Sequence, residues 1–282
     1  MYKRQLAITL LRLIGKLLPG NYLKTTWYLY AVAIPRKVLR LALNGFYRME
    51  HIYDVLQEAK REYKGKFTIL EFGTEKGFAF KKMLYATKYL HMSDYVTVHA
   101  FDSFEGMPDS VDRIDRGIVF EEETWIKGEF EGNYEELDSF CAKHYDNYKI
   151  HKGYFHETLT DEFLGSLGTH LPILIWIDCD YYSSTRTVME RLIPYIPNGC
   201  VVYFDEYEWN YGSRFTGESR IVHEINNGVF GKDIELILDR KLSLDSQRVY
   251  RFMRFEGGPR YVRRVPIRRH ERQFSTNDSI LP

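Results

Sequence analysis

The sequence predicts an α/β fold, a mostly parallel sheet with helices on both faces. Three observations carry that expectation. Two apolar runs, residues 173–177 and 200–204, do not alternate; the first stops at Asp178 and Asp180, the second at Asp205 and Glu206. Strands buried on both faces read this way where they reach the open edge of a sheet. Strand-like and helix-like stretches alternate through the middle of the chain, the pattern of a parallel sheet. A turn bounded by Gly73 and Gly77 joins the first strand to the helix after it. If the two acid-tipped strands are parallel neighbours, their carboxyl ends bring three or four carboxylates into one crevice, where sheets of this kind bind ligands. So much negative charge needs a cation.

Taken in order, the chain opens with Leu6, Leu10, Leu13, Ile14 and Leu17 at helical spacing and Arg12 and Lys16 on another face, a basic amphipathic helix. The two basic residues interrupt the apolar segment and no small-residue cleavage site follows, so a signal peptide is not indicated. Residues 22–34 are shorter than the ~20 residues of a membrane-spanning helix. A helix packed on its own or a neighbouring subunit is one reading of this extension, and a membrane-surface anchor is the other. Pro19-Gly20 and Pro35 mark breaks. A helix over 46–63, with Ile52, Val55, Leu56 and Ala59 on one side, leads into the core. Strands follow at 67–72, 96–101, 148–152, 173–177 and 200–204, with helices at about 80–90, 134–144 and 184–195. Residues 217–226 form the next helix, and 234–238 with 248–255 a closing pair of strands. Residues 103–132 are irregular and rich in Asp and Glu, and a loop of that length in a compact domain reads as a lid. The organisation is a basic helical extension over 1–45, a core domain over 46–256 and an Arg-rich tail over 257–282.

At 282 residues, 44% hydrophobic and 28% charged, the chain suits one large α/β domain with extensions. The formal net charge is zero but unevenly placed: residues 1–50 carry nine Lys and Arg against one acid, and residues 251–282 carry eight Arg against three acids. The tail cluster of Arg260, Arg263, Arg264, Arg268, Arg269 and Arg272 reads as a site for a phosphorylated carrier or anionic lipid, as a subunit contact or as a flexible tail. No nucleic-acid motif accompanies it, so no nucleic-acid partner is expected. Cys141, Cys179 and Cys200 have no metal-ligand spacing and read as free thiols in a reducing compartment, which points to the cytoplasm. Apolar N-terminal helices and 22 Tyr favour a homo-oligomer.

The turn Glu71-Phe72-Gly73-Thr74-Glu75-Lys76-Gly77 lets a ligand approach the backbone and places it at free helix amides. It lacks the Gly-Lys-Ser/Thr ending of a phosphate loop and the three-glycine spacing of a dinucleotide site. Asp102, at the tip of the second strand, is placed to accept two hydrogen bonds from a ribose diol. An acid before the turn, one glycine turn and an acid on the second strand suit a nucleoside without phosphates, such as S-adenosylmethionine.

Five blocks then follow one another: Glu71-Phe72-Gly73, Asp102-Ser103-Phe104-Glu105-Gly106-Met107-Pro108, Gly153-Tyr154-Phe155-His156-Glu157-Thr158-Leu159, Asp178-Cys179-Asp180-Tyr181-Tyr182-Ser183-Ser184-Thr185 and residues 199–205. In type and order they resemble the macrocin O-methyltransferase type of S-adenosylmethionine-dependent enzymes, which methylate sugar and related hydroxyls on natural products with a divalent metal. The resemblance covers roughly residues 70–224. It implies a Rossmann-like class I methyltransferase with a seven-stranded sheet, S-adenosylmethionine and Mg²⁺ (or Mn²⁺) as cofactors, and a small-molecule or carrier-linked glycosyl substrate. Carried over residue by residue, it makes Asp178, Asp205 and Glu206 the metal ligands and Asp180 the general base, with Asp178 and Asp180 the catalytic pair. It puts Glu71, Gly73, Thr74 and Gly77 at the methionine end of the cofactor, Asp102 and Ser103 at the ribose, and Gly153, Phe155 and His156 near the adenine.

Two residues depart from the family pattern. Cys179 replaces a customary glycine, leaving the backbone between the acids less freedom, and Glu206 stands where a second Asp is usual. Asp180 could instead cap the helix begun by residues 183–185; His156 and Trp176 read as packing. The competing functions are a catalytically inactive binding or scaffold protein on the same fold, suggested by Cys179 and Glu206, and a membrane-surface protein acting on a glycolipid through the basic termini.

Overall fold

The structure is a computed structural model that describes residues 49–109, 113–116, 125–243 and 248–264. The expected amphipathic helix, residues 265–282 with Arg268, Arg269 and Arg272, and much of the acidic lid lie outside the described residues. In chain order the elements are α1 (Met49–Glu62), β1 (Tyr63–Lys64), β2 (Lys66–Phe72), α2 (Phe78–Tyr89), β3 (Val96–Asp102), α3 (Arg113–Arg116) and α4 (Tyr134–His144). They continue with β4 (Tyr148–Lys152), α5 (Phe155–Thr158), α6 (Asp161–Ser166), β5 (His170–Ile177), α7 (Tyr182–Leu192) and β6 (Val201–Phe204). The described chain closes with α8 (Gly217–Asn226), β7 (Ile234–Leu238), β8 (Arg248–Arg254) and β9 (Val262–Arg263).

Seven strands form one sheet in the order β4-β3-β2-β5-β6-β8-β7, parallel except for β8, which runs antiparallel to both β6 and β7. The chain winds outward from β2 through β3 to β4, then returns to β5 on the other side of β2. Strand order therefore reverses between β2 and β5, and a ligand crevice opens at their carboxyl ends. Register decides what stands there. Phe72 pairs with Ile177 and Ile177 with Phe204, so the next residues on three adjacent strands, Gly73, Asp178 and Asp205, emerge side by side.

Side chains alternate across the sheet and fill two cores. Phe67, Ile69, Trp176 and Tyr203 face the α1, α2 and α4 side; Leu70, Phe72, Ile175, Ile177 and Phe204 face the α6, α7 and α8 side. α1 buries Ile52, Val55, Leu56 and Ala59, whose three- and four-residue spacing makes one stripe. β5 starts three residues before its apolar run and carries Pro172 in a central strand, where the missing N–H would break the ladder. The pairing of β2 with β5 shifts register there, Thr68 opposing Pro172 and Ile69 opposing Leu174, so the proline sits at a bulge.

The sequence pattern does not show α5 or α6, which are too short for a helical period. Thr160 starts α6 by accepting the Phe163 N–H at 3.2 Å. Nor does the pattern show that β8 inserts between β6 and β7. Contacts with the core continue beyond residue 256: β9 pairs antiparallel with β1, and Tyr261 stacks on Tyr63 with ring centroids 4.3 Å apart and donates to the Pro172 carbonyl at 2.5 Å. Arg263 is drawn to this corner, 3.4 Å from the Glu62 carboxylate. Among the described residues no helix is long and apolar enough to cross a membrane.

Candidate active site

Asp178, Asp205 and Glu206 each bring a carboxylate oxygen to within 4.8 Å of the others. Opposite donors around an octahedral Mg²⁺ lie about 4 Å apart, so a small contraction closes the set on such an ion. Three carboxylates this close repel one another until a cation or protons intervene. The all-oxygen donor set suits Mg²⁺ or Mn²⁺ and lacks the nitrogen and sulfur that zinc favours. The residues therefore fit a hard divalent cation.

Asp180 stands on the wall of the same cavity in an unusual backbone conformation. Its φ is +59°, and the Tyr181 N–H bonds the Cys179 carbonyl at 2.6 Å across it, a tight γ-turn of the strained, positive-φ kind. The positive-φ position is thus Asp180 and not Cys179. Replacing glycine by Cys179 leaves this turn intact, contrary to the loss of backbone freedom expected from the sequence. Cys179 is itself buried, with Sγ 3.5 Å from Thr185 Oγ1, and burial pushes its thiol well above the usual range, so it stays protonated and inert.

Nor does Asp180 cap the following helix. That role falls to Asp115 of α3, which accepts the Ser183 N–H at 3.0 Å and the Ser183 hydroxyl at 2.7 Å, while α7 has no cap from its own N-terminal side chain. The adjacent Ile114 carbonyl accepts a hydrogen bond from the Thr216 hydroxyl. The acid-rich segment is thereby tied to α7 and, through Thr216, to the start of α8. Its two ends also meet, the Met107 N–H bonding Glu129 O at 2.8 Å and the Gly128 N–H bonding Met107 O at 2.9 Å. Met107, Pro108 and Phe130 then form one side of the cavity, as a lid does.

The cavity encloses about 610 Å³, within the range for a small-molecule or cofactor site. At its floor Gly73 has φ +86°, and a Cβ there would lie 1.7 Å from the Asp178 carbonyl oxygen. Only glycine lets β2 and β5 come this close. Asp102 holds the turn above: its Oδ2 accepts the Thr74 and Glu75 N–H groups at 2.6 and 2.8 Å, and its Oδ1 the Phe104 N–H at 2.6 Å. Three of roughly four lone-pair directions of this carboxylate are used, leaving one for a ligand hydroxyl rather than the two foreseen for a diol. Glu71, 1% exposed, stands beside it. Burial, reinforced by the charges of Asp178 and Asp102, pushes its carboxyl well above the usual range. Its Oε2 is buried without a hydrogen-bond partner, an acceptor that a cationic ligand group would satisfy.

The family model for macrocin-O-methyltransferase (TylF) matches residues 32–241. The chain belongs to the macrocin O-methyltransferase family. It is an S-adenosylmethionine-dependent O-methyltransferase. Solved structures share the fold. CalS11, a calicheamicin methyltransferase, is 20% identical, with 82% of this chain and 91% of that chain covered and a TM-score of 0.56. The O-methyltransferase NovP is 21% identical, with 74% of this chain and 81% of that chain covered and a TM-score of 0.52. No curated protein matches the chain by sequence.

In this methyltransferase Glu71, Gly73, Thr74, Asp102, Ser103, Gly153, Phe155, Asp178, Asp180, Asp205 and Glu206 all line the one cavity. Gly77 and His156 are not among its lining residues. Gly77 precedes α2 with φ +74°, and a Cβ there would lie 2.5 Å from Leu137 Cδ1, so this glycine serves the packing of α4. The His156 side chain is 70% exposed, near Glu157, and its ring lies roughly parallel to that of Tyr154. Glu218 is the residue that sequence reasoning missed. It is 0% exposed, accepts the Glu206 N–H at 3.0 Å and leaves Oε1 without a hydrogen-bond partner. An acid in the first turn of a helix reads as ordinary dipole compensation, and nothing local shows that α8 aims this one at β6.

Proposed function

We propose that this methyltransferase transfers the methyl group to a hydroxyl of a sugar, on a glycosylated small molecule or a carrier-linked glycosyl intermediate, with a divalent cation held by Asp178, Asp205 and Glu206. The observation that carries the reading is that those three carboxylates, grouped within 4.8 Å of one another, and Asp180 line the same nucleoside-sized cavity. An unactivated alcohol is a poor nucleophile and has to lose its proton as it attacks. When bound, the cation lowers the hydroxyl's pKa and orients it. Asp180 takes the proton, acting from a backbone position that its tight turn holds fixed. The attacking oxygen forms its bond to the methyl carbon as the sulfur–methyl bond breaks. The sulfonium's positive charge disappears in the process, so exclusion of water from the cavity that Met107, Pro108 and Phe130 help to line favours transfer.

For the methyl donor, Glu71 Oε2 would accept from the ammonium at the methionine end, the remaining lone pair of Asp102 would take one ribose hydroxyl, and Phe155 with Gly153 would border the base. Cys141, Cys179 and Cys200 are buried as free thiols, in keeping with a cytoplasmic enzyme.

The test is transfer of a labelled methyl group from S-adenosylmethionine to a panel of nucleoside-diphosphate sugars and aryl glycosides. Transfer to a sugar hydroxyl that stops on chelation supports the reading. Transfer confined to phenols, or undiminished by chelation, contradicts it. Within an active pair, Asp180→Asn lowers kcat by 10²- to 10⁴-fold, the range for a general base, while Mn²⁺ and S-adenosylhomocysteine affinities stay at wild-type values. Unchanged kcat removes Asp180 from the proton-transfer role.

A further inference from the structure

Behind each of the three carboxylate residues stands one buried side chain. Trp176 and Tyr203 precede Asp178 and Asp205 by two residues on adjacent strands and face each other across the register. Their rings stack with centroids 3.6 Å apart and planes within 15°, and both are fully buried. Tyr203 donates its hydroxyl to Asp205 Oδ1 at 2.6 Å, and Trp176 Nε1–H reaches Asp178 Oδ2 at 3.4 Å. Glu206 is held through its main chain, its N–H donating to Glu218 Oε2 at 3.0 Å. On the far side of the stack His51 of α1 sets its ring edge-on to Tyr203 at 5.6 Å.

We propose that Trp176, Tyr203 and Glu218 are positioning residues of the cation site, each setting how one ligand is presented. The inference rests on the cation reading above and adds what makes the site selective in geometry. An aspartate carboxylate turns broadly about its last torsion, and a cation arriving at loose carboxylates has to order them. A hydrogen bond to one oxygen directs the other toward the crevice, and such supporting bonds are worth 10- to 100-fold in metal affinity. The ring stack couples the two aspartates, because Trp176 cannot turn without displacing Tyr203. A phenylalanine would fill the same stack, so it is the hydroxyl of Tyr203 that serves Asp205.

Tyr203→Phe removes that hydroxyl alone. In the full chain with S-adenosylhomocysteine present, Mn²⁺ binding is followed from the resonance of the free ion. The wild type binds one Mn²⁺, and Tyr203→Phe weakens it about tenfold. Affinity for S-adenosylhomocysteine in chelator is unchanged. Tyr148→Phe, which removes a hydroxyl bonded to Asp138 at 2.9 Å on the edge strand, keeps wild-type Mn²⁺ affinity. Mn²⁺ affinity of Tyr203→Phe within twofold of wild type overturns the proposal. So does a parallel loss of S-adenosylhomocysteine affinity in chelator, which would mean general loosening of the strand. A wild type that binds no Mn²⁺ removes the cation reading itself and this inference with it.

Discussion

Asp178→Ala lowers methyl transfer by roughly 10³-fold or more while S-adenosylhomocysteine affinity in chelator stays within about threefold of wild type. The size follows from what the side chain does. A catalytic cation supplies several kcal/mol of transition-state stabilisation, and each 1.36 kcal/mol is tenfold in rate. The selectivity follows from how Asp178 is built into the sheet. It meets β2 through its backbone, the N–H bonding Phe72 O at 2.9 Å, and alanine keeps that bond. What is lost is the carboxylate facing Asp205 and Glu206, and with it the acceptor 3.4 Å from Trp176 Nε1–H. Kinetics with any accepted sugar, Mn²⁺ binding and cofactor titration on the same preparation check the three parts separately. A variant that turns over normally contradicts the role, and one that loses cofactor and cation together shows that the strand end has collapsed.

Gly73→Ala acts at the same junction by a different route. The new Cβ would lie 1.7 Å from the Asp178 carbonyl oxygen and 2.6 Å from its carbonyl carbon, at φ +86°. Both obstacles are backbone, so no rotamer relieves them. Overpacking costs about 1–3 kcal/mol and a left-handed alanine a further 1–2 kcal/mol. At about 2–4 °C per kcal/mol for a domain of this size, the melting temperature falls by roughly 4–20 °C. Because relief requires Asp178 to move, Mn²⁺ and S-adenosylhomocysteine binding both weaken. Gly165→Ala is the control: a Cβ there meets nothing within 4 Å, and alanine favours a helix, so its melting temperature holds or rises. A Gly73→Ala protein as stable and as tightly binding as wild type would show that β2 and β5 are not this close.

The sheet and its mouth were legible because their physics is local. An apolar run without alternation means a strand covered on both faces, and the acids that end it mark the edge, so Asp178, Asp180, Asp205 and Glu206 were readable in place. What was not legible is what reaches them from elsewhere in the chain. Asp115 caps α7 from 68 residues away, which removes the capping explanation of Asp180. Glu218 approaches Glu206 only because α8 begins where it does. Trp176 and Tyr203 were readable as buried, but the hydrogen bonds from their polar ends depend on register, which pairs them across β5 and β6. Cys179 in place of a customary glycine implies less backbone freedom between the acids, yet the positive φ of that turn belongs to Asp180. Asp102, expected to hold a ribose diol, spends most of its hydrogen-bonding capacity on the turn that begins at Gly73.

The central claim is that a cofactor cavity and a cation site share one crevice in a working methyltransferase. Calorimetric titration of the full chain with S-adenosylhomocysteine, once with Mg²⁺ and once after chelation, tests it most directly. The account predicts micromolar binding, about −8 kcal/mol, in both conditions, with an added heat and tighter binding when Mg²⁺ fills the three carboxylates. No binding in either condition would mean a fold kept without its chemistry and would contradict the account.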